Sequence, residues 1–265
     1  MTQGALLVAF NNAHIDYVTI AAWNADRIRR FLNVPVTLIT DSTDHAKLDR
    51  FDQVIFRPTP QAGQRWFEDI DATVDWRNFD RSHAALESPY DKTLVLDVDY
   101  IVNSHQLRCL LDSTEDFLCH RHAVNARSGE LFNISFGKYN MPMYWATVMC
   151  FKRSKKADVI FHMMQMIQNN WAHYRDLYQI DRPAFRNDHA LSIALNIESG
   201  QTLTTTNIPW NLVSVLPAEK LSAISDTEFR IEWNDGQKTR FTLLANQDFH
   251  AMGKSYLEKI IANQS

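Results

Sequence analysis

The spacing in this chain that most directly suggests chemistry lies in Lys92-Thr-Leu-Val-Leu-Asp97-Val-Asp99-Tyr-Ile-Val-Asn-Ser104. An apolar run, Leu94 to Leu96, ends in two acids separated by a valine, and further apolar residues, Tyr100 to Val102, follow. A strand turns successive side chains to opposite faces, so the alternation predicts that Asp97 and Asp99 point the same way. Two carboxylates at the end of a buried strand are costly unless a positive group lies between them. Carboxylate oxygens suit a hard divalent cation such as Mg²⁺ or Mn²⁺. A strand that simply ends in two solvated acids would look similar, but the apolar frame on both sides favours the buried reading.

Other residue groups could also do chemistry. His250-Ala-Met-Gly253-Lys254 offers an imidazole for a metal, a glycine that permits close backbone approach, and a point charge for phosphate. Taken alone, that stretch fits a surface His and Lys equally well. His120-Arg121-His122 could line an acceptor site or be a solvated strand end. Lys152-Arg153-Ser154-Lys155-Lys156 is a basic cluster at a helix start, read either as a solvated face or as an acceptor-phosphate contact. Arg65, Trp66, Trp76 and Arg77 interleave cations with aromatics, a set that can stack bases or sugars or can anchor a loop through buried Trp side chains.

These groups need elements to position them. Gly4 to Phe10 reads as a first buried strand ending in Asn11-Asn12, and His14 to Asn33 as a helix. Val34 to Thr40 is a second strand closed by Asp41, and Gln53 to Phe56 a third closed by Arg57-Pro58. Strands separated by helices predict a parallel sheet with right-handed crossovers. Ligands bind beyond the carboxyl ends of such strands, where Asn11, Asp41 and Asp97 all fall. Residues 59 to 90 read as an irregular cover. Ser104 is expected to cap a short helix through Leu111. Asp116 to His122 and Tyr144 to Phe151 read as strands. Ser154 is expected to cap a long helix carrying Ala157, Phe161, Met164, Trp171, Tyr174 and Tyr178 as a core stripe. Asn187 to Ile197 reads as a helix with Asp188 in its first turn. Glu228 to Leu244 reads as a β-hairpin around Asn234-Asp235-Gly236. With no repeats and no flexible linker, residues 1–265 are expected to form a single α/β domain.

Composition narrows the function classes. The 265 residues are 45% hydrophobic, enough for a sizeable core, and carry a net charge of −4. No global basic field points to nucleic acid, so a polyanionic partner would need a local basic patch. Cys109, Cys119 and Cys150 lie in apolar segments without metal-ligand spacing and read as reduced core residues of a cytosolic protein. The first residues show no signal-peptide pattern, and no apolar run reaches membrane-spanning length. The expected setting is the cytoplasm, with no membrane partner.

Together, the opening strand–helix units, the Asp97-Val-Asp99 strand end, the acid at the head of a later helix (Asp188) and His250-x-x-Gly253-Lys254 resemble a GT-A glycosyltransferase. Their order and spacing look most like glycosyltransferase family 8, the glycogenin-like enzymes, and like related phage-encoded glycosyltransferases. The resemblance spans nearly the whole chain. It implies a GT-A, Rossmann-like fold: a mostly parallel central sheet flanked by helices, with a C-terminal β-hairpin. It implies that Asp97, Asp99 and His250 ligate Mn²⁺ or Mg²⁺, and that Lys254 contacts the diphosphate of a nucleoside-diphosphate sugar donor. It places Arg81 near the donor, Asp188 against the donor sugar, and Ala9, Asn11 and Asp41 where base and ribose would lie. It also implies retention of anomeric configuration. Where the family often has Phe-Asn-(Ser/Ala)-Gly, this chain has Tyr144-Trp145-Ala146-Thr147, which points to different recognition of the donor sugar or acceptor.

The chemistry is consistent with that set. A divalent ion acts as a Lewis acid on a diphosphate leaving group, and Lys254 and Arg81 add electrostatic stabilisation. Similar compact sequences occur in tailed phages, where such enzymes glycosylate hydroxymethylated cytosine in duplex DNA. That acceptor stands beside saccharide and protein hydroxyls, with the host cytoplasm as the setting for a phage enzyme. Two other classes remain open: a nucleotidyltransferase, whose Gly-rich basic opening loop is missing from Ala9-Phe-Asn-Asn-Ala13, and a non-catalytic sugar-nucleotide-binding protein.

Overall fold

The computed structural model describes residues 1–68, 70–202, 207–234, 236 and 238–264. Its centre is a six-stranded sheet in the order Gln53–Phe56, Val36–Thr40, Gln3–Val8, Lys92–Leu96, Trp145–Lys152, Phe117–His120. The first four strands run parallel, as the strand–helix alternation predicts. Trp145–Lys152 runs antiparallel to both of its neighbours. The central strands are buried over their full length, which is why they read as continuous apolar runs rather than alternating ones.

Helices flank the sheet. Asp16 caps the helix Tyr17–Leu32 by accepting from the Thr19 amide at 3.0 Å, and Asn33 closes it in the left-handed region at φ 52°. This helix packs on Val36–Thr40 and on the C-terminal helix Lys254–Gln264. Helix Asn187–Glu198 packs on Trp145–Lys152 and on Lys155–Asn169. No helix among the described residues is long and apolar enough to cross a membrane.

A second, five-stranded sheet runs in the order Leu131–Phe132, Ala123–Asn125, Leu212–Val215, Phe249–Ala251, Tyr100–Ile101. The chain passes from the central sheet into this one directly after Leu96, and the pairing of His250 with Tyr100 ties the C-terminal part of the chain to that exit. Periodicity cannot show this sheet, because two of its strands are two residues long.

Several expected elements take a different form. The 59–90 segment is not irregular throughout: Gly63–Phe67 and Ala72–Trp76 form an antiparallel hairpin, followed by a 3₁₀ turn at Asp80–His83 and a helical turn at Ala84–Glu87. The long helix after Ser154 is two helices, Lys155–Asn169 and Trp171–Leu177, that break at Asn170. Ser104 supports only a turn, accepting from the Gln106 amide, and the helix begins at Arg108. The C-terminal hairpin is present as Glu228–Asn234 with Thr239–Ala245, extended by a third strand, Lys220–Ala223; Asp235, at its expected turn, lies outside the described residues. Cys119 and Cys150 are buried, but Cys109 is exposed.

Candidate active site

Asp97 and Asp99 converge, but not through strand alternation. The strand stops at Leu96, and Asp97-Val98-Asp99-Tyr100 is a turn closed by the Tyr100 amide donating to the Asp97 carbonyl at 3.0 Å. The fully buried Asn24 holds this turn from the flanking helix. Its side-chain amide donates to the Tyr100 carbonyl at 2.6 Å, and its oxygen accepts from the Val102 amide at 3.2 Å. On the other side, the Asp97 amide donates to Thr147 and the Ala251 amide to Asp99, each at 2.9 Å.

The strand Phe249–Ala251 delivers His250 to the same place. Ligand atoms of Asp97, Asp99 and His250 all lie within 4.8 Å of one another. His250 Nε2 stands 3.5 Å from Asp99 Oδ2, and its Nδ1 is buried without a hydrogen-bond partner. Two carboxylates and an imidazole at this separation fit a divalent ion of the Mn²⁺ type, which accepts mixed O and N ligands. Lys254, the first residue of the last helix, forms an ion pair with Asp99. Gly253 makes that possible: a Cβ there would stand 3.3 Å from the Pro217 carbonyl and 3.1 Å from the Tyr256 ring. A larger residue would push the helix start, and Lys254 with it, away from Asp99.

Asp188 enters from the first turn of Asn187–Glu198. Its carboxylate accepts from the Ala146 amide at 3.0 Å and from Arg186 Nη2 at 3.0 Å. It is thus turned across to Trp145–Lys152 and to the preceding arginine. Arg81 forms an ion pair with Asp97. Arg65, from the hairpin, lies over the rings of Trp76 at 5.2 Å and Phe67 at 5.5 Å. Together with Tyr17, Asn78, Trp145, Thr147 and Asn187, these groups line one cavity of about 50 Å³.

The electrostatics follow from that crowding. Burial opposes the charge on Asp99, but Lys254 and His250 beside it prevail and hold its carboxyl well below the usual range. Burial opposes Asp188 in the same way, and Arg186, the Ala146 amide and Arg81 together lower it. Burial brings the Arg81 guanidinium down to about 10, against the pull of Asp188 and Asp99. Burial also lowers Arg65, and the like charge of Arg186 adds to the fall. Asp99 and Asp188 are thus both held in the charged form by the cations packed against them.

Arg81, Asp97, Asp99, Asp188, His250 and Lys254 are therefore brought together. Ala9, Asn11 and Asp41 lie outside the cavity lining. Ala9 is buried at the end of Gln3–Val8. The Asn11 side chain serves the start of the first helix, accepting from the Val18 amide and donating to Asp16, each at 3.0 Å. Asp41 accepts from the Thr59 hydroxyl. His120 is fully buried, edge-on to Trp210 at 6.4 Å, and burial pushes its imidazole down to about 3 with His250 adding to the effect. The basic cluster sits elsewhere: Lys152 pairs with Lys92 and Val148 with Leu96, which places residues 152–156 at the opposite end of the strand from Asp97. Four residues of strand span about 13 Å.

Sequence reasoning did not assign Arg186 or Asn78 to the site and treated Arg65 only as one of a stacking set. Arg186 had a signal, its place immediately before Asn187-Asp188 at a helix start. Asn78 had none. It exchanges hydrogen bonds with the Phe10 backbone, accepting at 2.7 Å and donating at 3.1 Å, and so fixes the segment after the hairpin to the end of the first strand.

No protein-family model matches the sequence, and no curated protein matches it. Solved structures similar to it include several glycosyltransferases and a 4-diphosphocytidyl-2C-methyl-D-erythritol synthase. Galactosyltransferase LgtC, solved in complex with donor and acceptor sugar analogs, is 12% identical over 72% of this chain and 70% of its own, with a TM-score of 0.47. Mouse xyloside xylosyltransferase 1 is 12% identical over 76% of this chain and 83% of its own, at 0.44. Glycosyltransferase GlyE of Streptococcus pneumoniae is 12% identical over 78% of this chain, which spans 45% of GlyE, at 0.42. The functional reading rests on the cavity itself.

Proposed function

We propose that this protein transfers a sugar from a nucleoside-diphosphate sugar to an acceptor hydroxyl, using a divalent cation at Asp97, Asp99 and His250. One observation carries this reading: the cavity holds a metal-type ligand set together with a surplus of positive charge. Asp97 has Arg81, Asp99 has Lys254 and Asp188 has Arg186, while among the described residues no carboxylate forms an ion pair with Arg65. Four cations less three carboxylates leave +1, and a bound divalent ion raises the total to +3. A diphosphate leaving group is the natural counter-charge.

When bound, the ion would supply Lewis-acid neutralisation of the diphosphate. The chain's own groups do the rest. Arg81, Lys254 and Arg65 add positive potential in a water-poor cavity, where each acts more strongly than in solvent. Asp188, held ionised and oriented by the Ala146 amide and Arg186, is proposed to take a hydroxyl of the donor sugar. Ala9 and Asp41, at the ends of their strands, mark the proposed edge for base and ribose; the Asn11 side chain is committed to the helix start. A duplex DNA acceptor receives no support from residues 152–156: Lys152 is paired with Asp116 at 3.0 Å, Lys156 with Glu198 at 3.8 Å, and the cluster faces away from the cavity.

Thermal-shift screening of sugar nucleotides with and without Mn²⁺, followed by a donor-hydrolysis assay, tests the reading. Stabilisation by one sugar nucleotide that requires Mn²⁺ is expected, with turnover lost in Asp99→Ala. Full turnover in excess EDTA overturns the metal assignment, and the absence of any nucleotide effect overturns the donor.

A further inference from the structure

Beside the charged cavity lies an open cleft of about 460 Å³, lined in part by the Gly63–Trp76 hairpin. Its walls differ sharply from those of the cavity. They hold the aromatic rings of Trp76, Phe79 and Phe185, four side-chain amides (Gln61, Gln64, Gln168 and Asn169), and one acid, Asp80. Among the described residues, no lysine or arginine lines it. Trp76 borders both spaces, and Phe185 is three residues before Asp188, so the cleft adjoins the proposed site of sugar transfer.

We propose that this cleft is the acceptor subsite and that it takes an uncharged oligosaccharide. The proposal deepens the glycosyltransferase reading and rests on it. The chemistry of the walls selects the ligand class. A saccharide presents patches of C–H to aromatic faces and hydroxyls that both donate and accept. Amides supply a donor and an acceptor each, and a carboxylate supplies acceptors. A nucleic acid would need a row of cations along its phosphates, and the one charged residue lining this cleft is Asp80, paired with Arg57 at 3.7 Å.

The aromatic groups are held in place. Trp76 meets Phe79 at 5.7 Å, Phe79 meets Phe185 edge-on at 6.4 Å, and Phe185 meets Trp171 edge-on at 5.6 Å. The polar groups are positioned as well: Gln168 Nε2 donates to Asp80 Oδ1 at 2.8 Å, and its oxygen accepts from the Ser82 hydroxyl at 2.8 Å. Gly63 stands directly across the hairpin from Trp76. A Cβ there would meet nothing closer than the Trp76 carbonyl at 3.7 Å, so a side chain at this position is sterically tolerated, and Gly63 itself lines the cleft.

The test titrates lactose, maltose and cellobiose separately into the full chain with Mn²⁺ and a nucleoside diphosphate, with saturation-transfer NMR as the readout and a short DNA duplex as competitor. At least one disaccharide is expected to bind, to be insensitive to the duplex, and to bind at least tenfold more weakly to Gly63→Leu. Gln64→Ala, at an exposed position, is expected to weaken binding about threefold. The melting temperature of Gly63→Leu and its nucleoside-diphosphate affinity should match wild type, which separates a filled cleft from a damaged fold. If none of the three sugars binds, if Gly63→Leu binds as wild type does, or if the duplex displaces the sugar, the cleft assignment is overturned. Donor binding and hydrolysis are read independently, so these results leave the transferase reading standing. Disaccharide binding without any sugar-nucleotide binding would overturn the transferase reading instead.

Discussion

Arginines and aspartates meet in two parts of this molecule, with opposite consequences. In the cavity, the paired side chains are 6–15% exposed and leave one cation over. In a groove of about 840 Å³ between Tyr17–Leu32 and Lys254–Gln264, pairs such as Arg50–Asp26 and Arg30–Asp226 are 46–58% exposed. There Lys47 is shared between Asp16 at 2.6 Å and Asp44 at 3.1 Å, and Asp226 serves both Arg27 and Arg30. Size is a poor guide, since the groove is much the larger space. Residue type is no better, since both contain Arg and Asp. Burial and the charge balance separate them: solvent screens the groove's outer pairs to little net value, whereas the cavity's pairs are desolvated on both sides and enclose one cation over.

That contrast can be broken at five residues. The largest effect is expected from Asp99→Ala, with donor turnover falling about a thousandfold, equivalent to ~4 kcal/mol of transition-state stabilisation. His250→Gln should give a parallel loss, and a Mn²⁺ titration of both variants shows whether the ion is the common cause. Next comes Asp188→Asn, for which transfer should drop about a hundredfold while nucleoside-diphosphate affinity stays near wild type. Equal loss of both would move Asp188 from the sugar to the nucleotide.

A smaller effect belongs to Arg65→Gln. Calorimetry should show nucleoside-diphosphate affinity reduced about tenfold, ~1.4 kcal/mol, with the affinity of the bare nucleoside unchanged. If both fall together, Arg65 serves the hairpin's packing on Trp76 rather than the phosphates. The smallest effect is expected in the groove, where Arg50→Gln should shift the melting temperature by no more than ~2 °C and leave donor turnover intact. A large loss of turnover there would erase the distinction between the two regions.

Much of this was legible before folding. Leu94 to Leu96 and Ala5 to Phe10 are apolar without interruption, because central parallel strands are covered on both faces, and such runs announce themselves. Ser154 marks a helix start by local chemistry and caps it as expected, whereas Ser104, an equally good local signal, closes only a turn. The hairpin at Gly63–Trp76 was hidden by its first strand, where Arg65 lies on the same face as Phe67; its second strand, Ala72–Trp76, alternates apolar and polar residues and carried a readable signal.

The sequence by itself determined the order of the central strands' elements, the acid pair at Asp97 and Asp99, and the acid at the head of Asn187–Glu198, since each depends on neighbours a few residues away. Tertiary structure alone decided that Asp97 and Asp99 meet through a turn rather than a strand. It also brought His250 and Lys254 to them from 150 residues downstream, and turned Arg65 and Arg186 into the same cavity. Local spacing fixes which side chains an element can offer. Where a charge becomes buried, and whether it finds an opposite charge there, depends on segments far apart in sequence.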